Sequence, residues 1–399
     1  MVTSSYPKFP GDVTAPFIES IACGVAARGH EVDVVLPEHP ALRRGNDEPV
    51  RFFPYAYAPA ARWTSWGYAQ SLEADVRVRR GIYLLAPMVA MALRRAVSGH
   101  LTERRYDVVH AHWVVPNAAM ITGIVRGHGV PFVVSLHGSD VFLAERMTLA
   151  AIFARQALAA AGAVTACSGD LLRRAFALGA PPGRSRTVPY GVDASAFAPR
   201  PHDERLRAAL GVPPGAVFVL AFGRMVEKKG FRTLIDAAVR VSGIHVVIAG
   251  DGDLRPALAA RAREIGAPVS FPGSQDRAAI AAAVAAADVV VVPSVVDKAG
   301  NVDGLPNALL EALAAGRAVI ASRVAGIPDV VDDGVNGLLV TERDVDALSA
   351  ALGRLAVEPE TRRRLGEEAR RRAIRELTWD AAAQAFEECY VEAATLDAR

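Results

Sequence analysis

Strand-like runs at Glu31–Leu36, Val50–Phe53, Asp107–His110, Pro131–Leu136 and Ala163–Ala166 alternate with helical segments along the first half of the chain. That alternation constrains the fold more than any other feature, because it is the pattern of a doubly wound parallel sheet. A second set of strands begins at Ala216–Ala221 and continues through His245–Gly250, V-S-F-P-G ending at Gly273, D-V-V-V-V-P-S and Ala318–Ala321. A single core stops growing near about 250–300 residues, so 399 residues suit two domains. The Pro-rich stretch Ala180 to Pro201 reads as the linker and puts the boundary near Ala198. The expected fold is α/β, with domains at 1–197 and 198–378.

The run D-V-V-V-V-P-S reads as a buried parallel strand, and ligands of such sheets collect beyond the strand C-termini. After it comes D-G-L-P-N-A-L-L-E, Asp303 to Glu311, a loop turning into a helix N-terminus. First-turn N–H groups have no partner inside a helix and, with the helix dipole, attract anions. Asp303 stands before that turn and Glu311 is read two turns inside, where both would repel a phosphate. An ionised carboxylate only accepts hydrogen bonds, so the pair suits neutral sugar hydroxyls. The alternative is a helix-start acid and one charge on a solvated face.

Ala216–Ala221 runs straight into F-G-R-M-V-E-K-K-G, which places Arg224 and Lys229 near a strand end and a helix start. That is a second anion site, without a P-loop lysine signature. Asp251-Gly252-Asp253 has the look of a metal-binding D-x-D, but Asp253 suits an N-cap for a helix Leu254–Ile265 and Gly252 a tight turn, so no metal is expected. His137 ends a strand in V-V-S-L-H-G-S-D, with its ring expected in the crevice. It is either a ligand contact or a structural strand-end histidine. Asp140 faces an acceptor or caps the next helix. His110 and His112 lack a third metal ligand in the sequence nearby. No G-x-G-x-x-G marks a dinucleotide site.

Together S-S-Y-P-K-F-P-G-D, L-H-G-S-D, F-G-R-M-V-E-K-K-G and an acid separated from Glu311 by seven residues resemble the retaining glycosyltransferases of family 4, with the GT-B fold. The resemblance extends over nearly the whole chain and departs from the commoner family pattern at Asp303, where Glu is usual. It implies two doubly wound domains facing across a cleft, with a last helix, 379–399, returning to the first domain through Trp379 and Phe386. It implies transfer of a sugar from a nucleotide-diphosphate sugar to a hydroxyl acceptor. Arg224 and Lys229 would neutralise the diphosphate in place of a metal, Glu311 hold the ribose, Asp303 the sugar, and His137 bond near the donor sugar and phosphate. Donor contacts are further implied for Gly11, Asp12, Gly250, Gly273, Gly304, Leu305, Pro306 and Asn307. No cofactor is expected. The rival readings are a GT-B nucleotide-sugar 2-epimerase and a non-catalytic nucleotide-sugar sensor.

A formal charge of +2 offers no global attraction to nucleic acid, and no run approaches the roughly 20 apolar residues of a membrane span. With no signal-peptide pattern and only Cys23, Cys167 and Cys389, which read as small core hydrophobes, a cytoplasmic setting is expected. The strand that V-T-S-S-Y-P ends retains only a residue or two after Met1, so either it is very short or the start codon lies upstream. The aromatics Phe52, Phe53, Tyr55, Tyr57, Trp63, Trp66 and Tyr68 either line an acceptor pocket or, as loop aromatics more often do, fold under a domain edge. Arg77, Arg79, Arg80, Arg94 and Arg95 flank the apolar segment Ile82 to Leu93, a peripheral membrane contact or a solvated face.

Overall fold

The computed structural model describes residues 1–399 apart from 13, 46–47, 59–65, 69–71, 74–76, 79, 202 and 398–399. Trp63, Arg79 and the side chains of Arg77 and Arg80 lie outside the described residues. The chain divides into two compact units, Met1–Pro189 with Trp379–Arg399, and Tyr190–Thr378. The break comes before Tyr190, ahead of the boundary expected near Ala198.

The first unit holds strands β1 (Asp33–Pro37), β2 (Arg51–Tyr55), β3 (Val109–His112), β4 (Phe132–Leu136), β5 (Ala163–Ala166) and β6 (Ser185–Thr187). Val2 pairs in parallel with Val35 on one side and Ala111 on the other. It therefore completes the sheet between β1 and β3, giving the order β2-β1-Val2-β3-β4-β5-β6. Every residue of β1, β3, β4 and β5 is buried, as in strands of a parallel sheet covered on both faces. Ile18, Ile21 and Val25 of the helix Pro16–Ala27 pack with Val34 and Leu36 against Ala383 and Phe386 of the last helix, Trp379–Asp397. Gly24 permits that contact, since a Cβ there would stand 3.1 Å from Ala383 Cβ.

Tyr55, Tyr57, Trp66 and Tyr68 are buried, and Tyr68 donates to Pro37 O at 2.7 Å. These aromatics seal the edge of the unit rather than line an open pocket. The helix Arg80–Glu103 continues through Pro87 and exposes Leu84 and Met91. No helix among the described residues is long and apolar enough to cross a membrane. Cys167 and Cys389 are buried, Cys23 is half-buried, and none of the three is joined in a disulfide.

The second unit is a six-stranded parallel sheet of β7 (Val217–Phe222), β8 (Ile244–Ala249), β9 (Val269–Gly273), β10 (Val289–Val292), β11 (Ala318–Ser322) and β12 (Leu338–Val340). Its order is β9-β8-β7-β10-β11-β12, so the winding reverses between β7 and β10. Ligands of open α/β sheets bind at that switch, outside the strand C-termini. Phe231, Leu234 and Ile235 from the helix Phe231–Ala238 close one face over Val219, Val246 and Ile248. The predicted Asp253 cap is not formed. The helix there is Arg255–Glu264, capped at Leu254 with no side-chain bond, because Leu254 N–H already donates to Met225 O.

Candidate active site

In the second unit the loop after β7 is folded tightly onto its neighbours. Gly223 N–H donates to Ala249 O, Met225 N–H to Asp251 O, and Gly250 N–H to Gly273 O. Gly250 has φ +136°, and a Cβ there would stand 2.1 Å from Gly223 O. The ends of β7, β8 and β9 are thus joined backbone to backbone, which brings Gly250 and Gly273 to the crevice as bare main chain. Farther along, the 3-10 turn Glu227–Lys229 ends at Gly230, whose Cβ would meet Pro293 O at 1.8 Å. Val295 N–H donates to Lys228 O at 2.9 Å, so the loops after β7 and β10 are held across the switch point.

That junction brings three charges together. Asp303 Oδ1 lies 3.0 Å from Lys228 Nζ, and Oδ2 lies 2.6 Å from Lys229 Nζ, with all three side chains less than a fifth exposed. Burial would raise the Asp303 pKa, but the Lys229 and Lys228 ammonium groups more than reverse it and hold the carboxyl well below the usual carboxylate range. Summed, Lys228, Lys229 and Asp303 carry one net positive charge. Arg224 is exposed in the same loop.

The motif loop itself is anchored by Gly326 N–H donating to Gly304 O, with Leu305 and Pro306 buried and Asn307 exposed. The helix runs Asn307–Ala314 from a Pro306 N-cap, so Glu311 stands one turn inside it rather than two. Burial pushes Glu311 up to about 7, against the pull of Arg277 and Lys229. Arg277, at the first turn of the earlier helix Arg277–Ala286, also places its guanidinium 5.4 Å from the centre of the Phe197 ring.

Upstream, Asp297 is closed off by its own loop. It accepts the N–H groups of Ala299 and Asn301, each at 2.8 Å. Asp251 and Asp253 are both exposed, and Asp251 Oδ1 accepts the neighbouring Gly252 N–H. Among the described residues no three His, Cys, Asp or Glu side chains gather to hold a metal.

The first unit has a histidine cluster at the C-terminal ends of β3 and β4. His137 Nε2 lies 3.1 Å from His112 Nδ1, with the two rings stacked at 27°. Burial lowers His137 to about 3 and carries His110 and His112 well below their ordinary value, so all three are neutral imidazoles at working pH. His112 Nε2 is buried with no hydrogen-bond partner. An orphan lone pair costs less than an orphan N–H, so we assign the proton to His112 Nδ1, donating to His137 Nε2. His110 is used up in the core between Tyr390 Oη at 2.9 Å and Ser135 Oγ at 2.6 Å.

Asp140 neither caps the next helix nor faces outward. It is buried, and it accepts N–H groups from Val114, His137 and Gly138, tying the loop after β3 to the loop after β4. Gly11 has φ +87° in a turn that Asp12 closes by accepting from Lys8 N–H and pairing with Lys8 Nζ at 2.6 Å.

Of the residues expected from sequence, Lys229, Asp303, Glu311, Gly304, Leu305, Pro306 and Asn307 share one end of the second sheet with Gly250, Gly273 and the exposed Arg224. His137, Gly11 and Asp12 belong to the first unit. Sequence reasoning missed Lys228, which stood in the quoted E-K-K-G, and His112 as the partner of His137. It also missed Arg277, which carried no signal because it lies on a helix far from the motif in sequence.

A doubly wound sheet with a basic, carboxylate-bearing crevice at its switch point defines a nucleotide- or sugar-phosphate-handling α/β enzyme class. The family model for glycosyl transferases group 1 matches residues 202–372, and that for a glycosyl transferase 4-like domain matches residues 14–191. A D-inositol 3-phosphate glycosyltransferase from Kineococcus radiotolerans is 30% identical over 407 residues, covering 94% of this chain and 89% of the relative. An alpha-maltose-1-phosphate synthase from Mycolicibacterium smegmatis is 32% identical over 316 residues, covering 71% of this chain and 78% of its own. The crystal structure of Anabaena HepE in complex with UDP superposes with a TM-score of 0.77 at 20% identity, covering all of this chain and 98% of that one. The chain belongs to the family 4 type of glycosyltransferases, with the GT-B fold.

Proposed function

We propose that this glycosyltransferase moves a hexosyl group from a nucleotide-diphosphate sugar to a hydroxyl acceptor with retention of anomeric configuration. The observation that carries the reading is the Lys228–Asp303–Lys229 cluster in front of the helix Asn307–Ala314, at the switch point of the second sheet. As the bond from the anomeric carbon to the diphosphate oxygen breaks, negative charge gathers on the departing phosphate. Lys228, Lys229, Arg224 and the first-turn amides stabilise that charge with dipoles and cations already in place, so the effect grows toward the transition state. The acceptor oxygen attacks the face the diphosphate leaves, and its proton passes to the departing phosphate oxygen.

Asp303 holds the two ammonium groups apart and in register, and presents its remaining lone pairs to the sugar hydroxyls. Glu311, ionised above about 7, accepts from the ribose. To the first unit we assign the acceptor and the neutral His137, which acts by hydrogen bonding because its imidazolium is inaccessible. Both relatives described above carry names of transfer or synthesis, which favours transfer over epimerisation or sensing. With cations and amides supplying the positive charge, no metal is required.

A panel of nucleotide sugars scored by thermal shift identifies the donor. Proton NMR of the product then gives the anomer, and an inverted product would overturn retention. Turnover in the presence of a chelator should be unchanged. Loss restored by Mn²⁺ would bring Asp251 and Asp253 back as ligands.

A further inference from the structure

A second basic cavity, of about 700 Å³, lies at the opposite end of the same sheet, beside Asp288 before β10 and Ala318 at the start of β11. Five arginines line it against two carboxylates, Asp288 and Glu367. Asp288 is already engaged, its Oδ2 accepting from Arg207 at 3.0 Å and from Phe218 N–H at 2.7 Å. Among the described residues the hydrogen-bond acceptors of Arg317, Arg362 and Arg370 are main-chain oxygens. Arg317 donates to Ala315 O and Ala287 O, Arg362 to Leu355 O and Ala356 O, and Arg370 to Ala194 O and Ala314 O. A solvated helix face pairs its arginines with glutamates, as Arg363 and Arg371 do here. Three guanidiniums held by carbonyls, with Asp288 acting on Arg317 through its charge alone, are a different arrangement.

The floor of the cavity is bare backbone. Gly316 and Gly366 touch there, and a Cβ on Gly366 would stand 2.2 Å from Gly316 O. The space is within the about 300–1,000 Å³ of small-ligand sites.

We propose that this cavity is an anion site for a phosphate-bearing ligand, separate from the donor crevice. Planar guanidiniums match phosphate oxygens in pairs, and an anion here would neutralise charge that the protein leaves uncompensated. Burial already draws the Arg317 and Arg370 pKa values down. Arg317 and Arg370 also hold the last carbonyls of the segment Asn307–Ala315, whose other end carries the donor motif. An anion competing for them would be felt by the helix that bears Glu311. Phosphate of this kind comes from a soluble phosphate ester or from a lipid headgroup.

Inorganic pyrophosphate titrated into the full-length protein by calorimetry tests the site. The Lys228→Ala/Lys229→Ala double variant weakens the donor crevice as a competing site. Pyrophosphate binding should survive in that variant and weaken at least tenfold when Arg362→Gln and Arg370→Gln, each checked for an unchanged melting temperature, are added. Arg317→Gln, checked for unchanged melting temperature, provides a second variant. Co-sedimentation with phosphatidylglycerol vesicles forms the other arm, and arginine-dependent vesicle binding would name a lipid headgroup as the source. If the lysine variant binds neither pyrophosphate nor vesicles, or binds them regardless of the arginine changes, the site does not exist.

Discussion

Asp303 is the residue on which the charge balance of the donor crevice turns. Bonded to Lys228 and Lys229 at 3.0 and 2.6 Å, it sets the position of the cations as well as offering an acceptor to the sugar. Asp303→Asn keeps the shape and removes the charge, leaving two ammonium groups together. Donor binding should then hold or tighten, while turnover falls about ten- to a hundredfold as positioning is lost. Lys228→Ala should instead raise the donor KM and lower kcat/KM by about tenfold or more. Steady-state kinetics with both variants separate the two roles, and unchanged turnover in Asp303→Asn would mean that the carboxylate does not set the position of the cations.

Glu311 gives a pH signature. Its pKa is raised from 4.5 to about 7 in the folded protein, so the native state binds the proton more tightly than the unfolded chain. Its contribution to stability is therefore fully present below about pH 4.5 and is lost as pH rises through about 7. Glu311→Gln should melt higher than the native protein at pH 8, by an amount equivalent to about 1–3 kcal/mol, and show a much smaller gain at pH 5. Equal gains at both values would show that Glu311 is not the titrating group.

At the scale of elements, the crevice depends on main chain approaching main chain. Gly250 and Gly215 both have positive φ, but only Gly250 has backbone in the way, 2.1 Å from where a Cβ would be. Gly250→Ala should cost about 3 kcal/mol or more, and Gly215→Ala, with nothing within 4 Å, about 1 kcal/mol. Chemical denaturation of the two variants makes the comparison. A small effect at Gly250 would mean that the loops after β7 and β8 can part without loss. The same reasoning explains why Asp253 could not cap its helix: Gly252 brings the chain against Met225, and that contact fixes the turn first.

On the scale of the whole molecule, the first unit is built from both ends of the chain. Phe386 is buried among Ile18, Ile21 and Leu36, and each fully buried side chain of that size contributes about 1.5–3 kcal/mol. Ending the chain at Thr378 removes that helix from Met1–Pro189 while leaving every residue of Tyr190–Thr378. The truncated protein should lose the first unit to limited proteolysis and retain the second. Equal protection of both would show that the last helix is dispensable.

Strand alternation, apolar continuity and the punctuation of glycine and proline are local, short-range properties, and for that reason the doubly wound class and its strands could be read from the sequence. The order of motifs along the chain sufficed for the same reason to place Lys229, Asp303 and Glu311 near strand and helix ends. What the sequence left open were relations between distant residues. Lys228 with Asp303 and His112 with His137 meet only because neighbouring parallel strands bring their C-terminal loops side by side. Arg277 reaches the field of Glu311 from a helix on another part of the sheet. Protonation was undecided as well. Glu311 and His137 are ordinary acids and bases as written, and burial alone moves one up and the other down, because a charge in a dry interior loses its water.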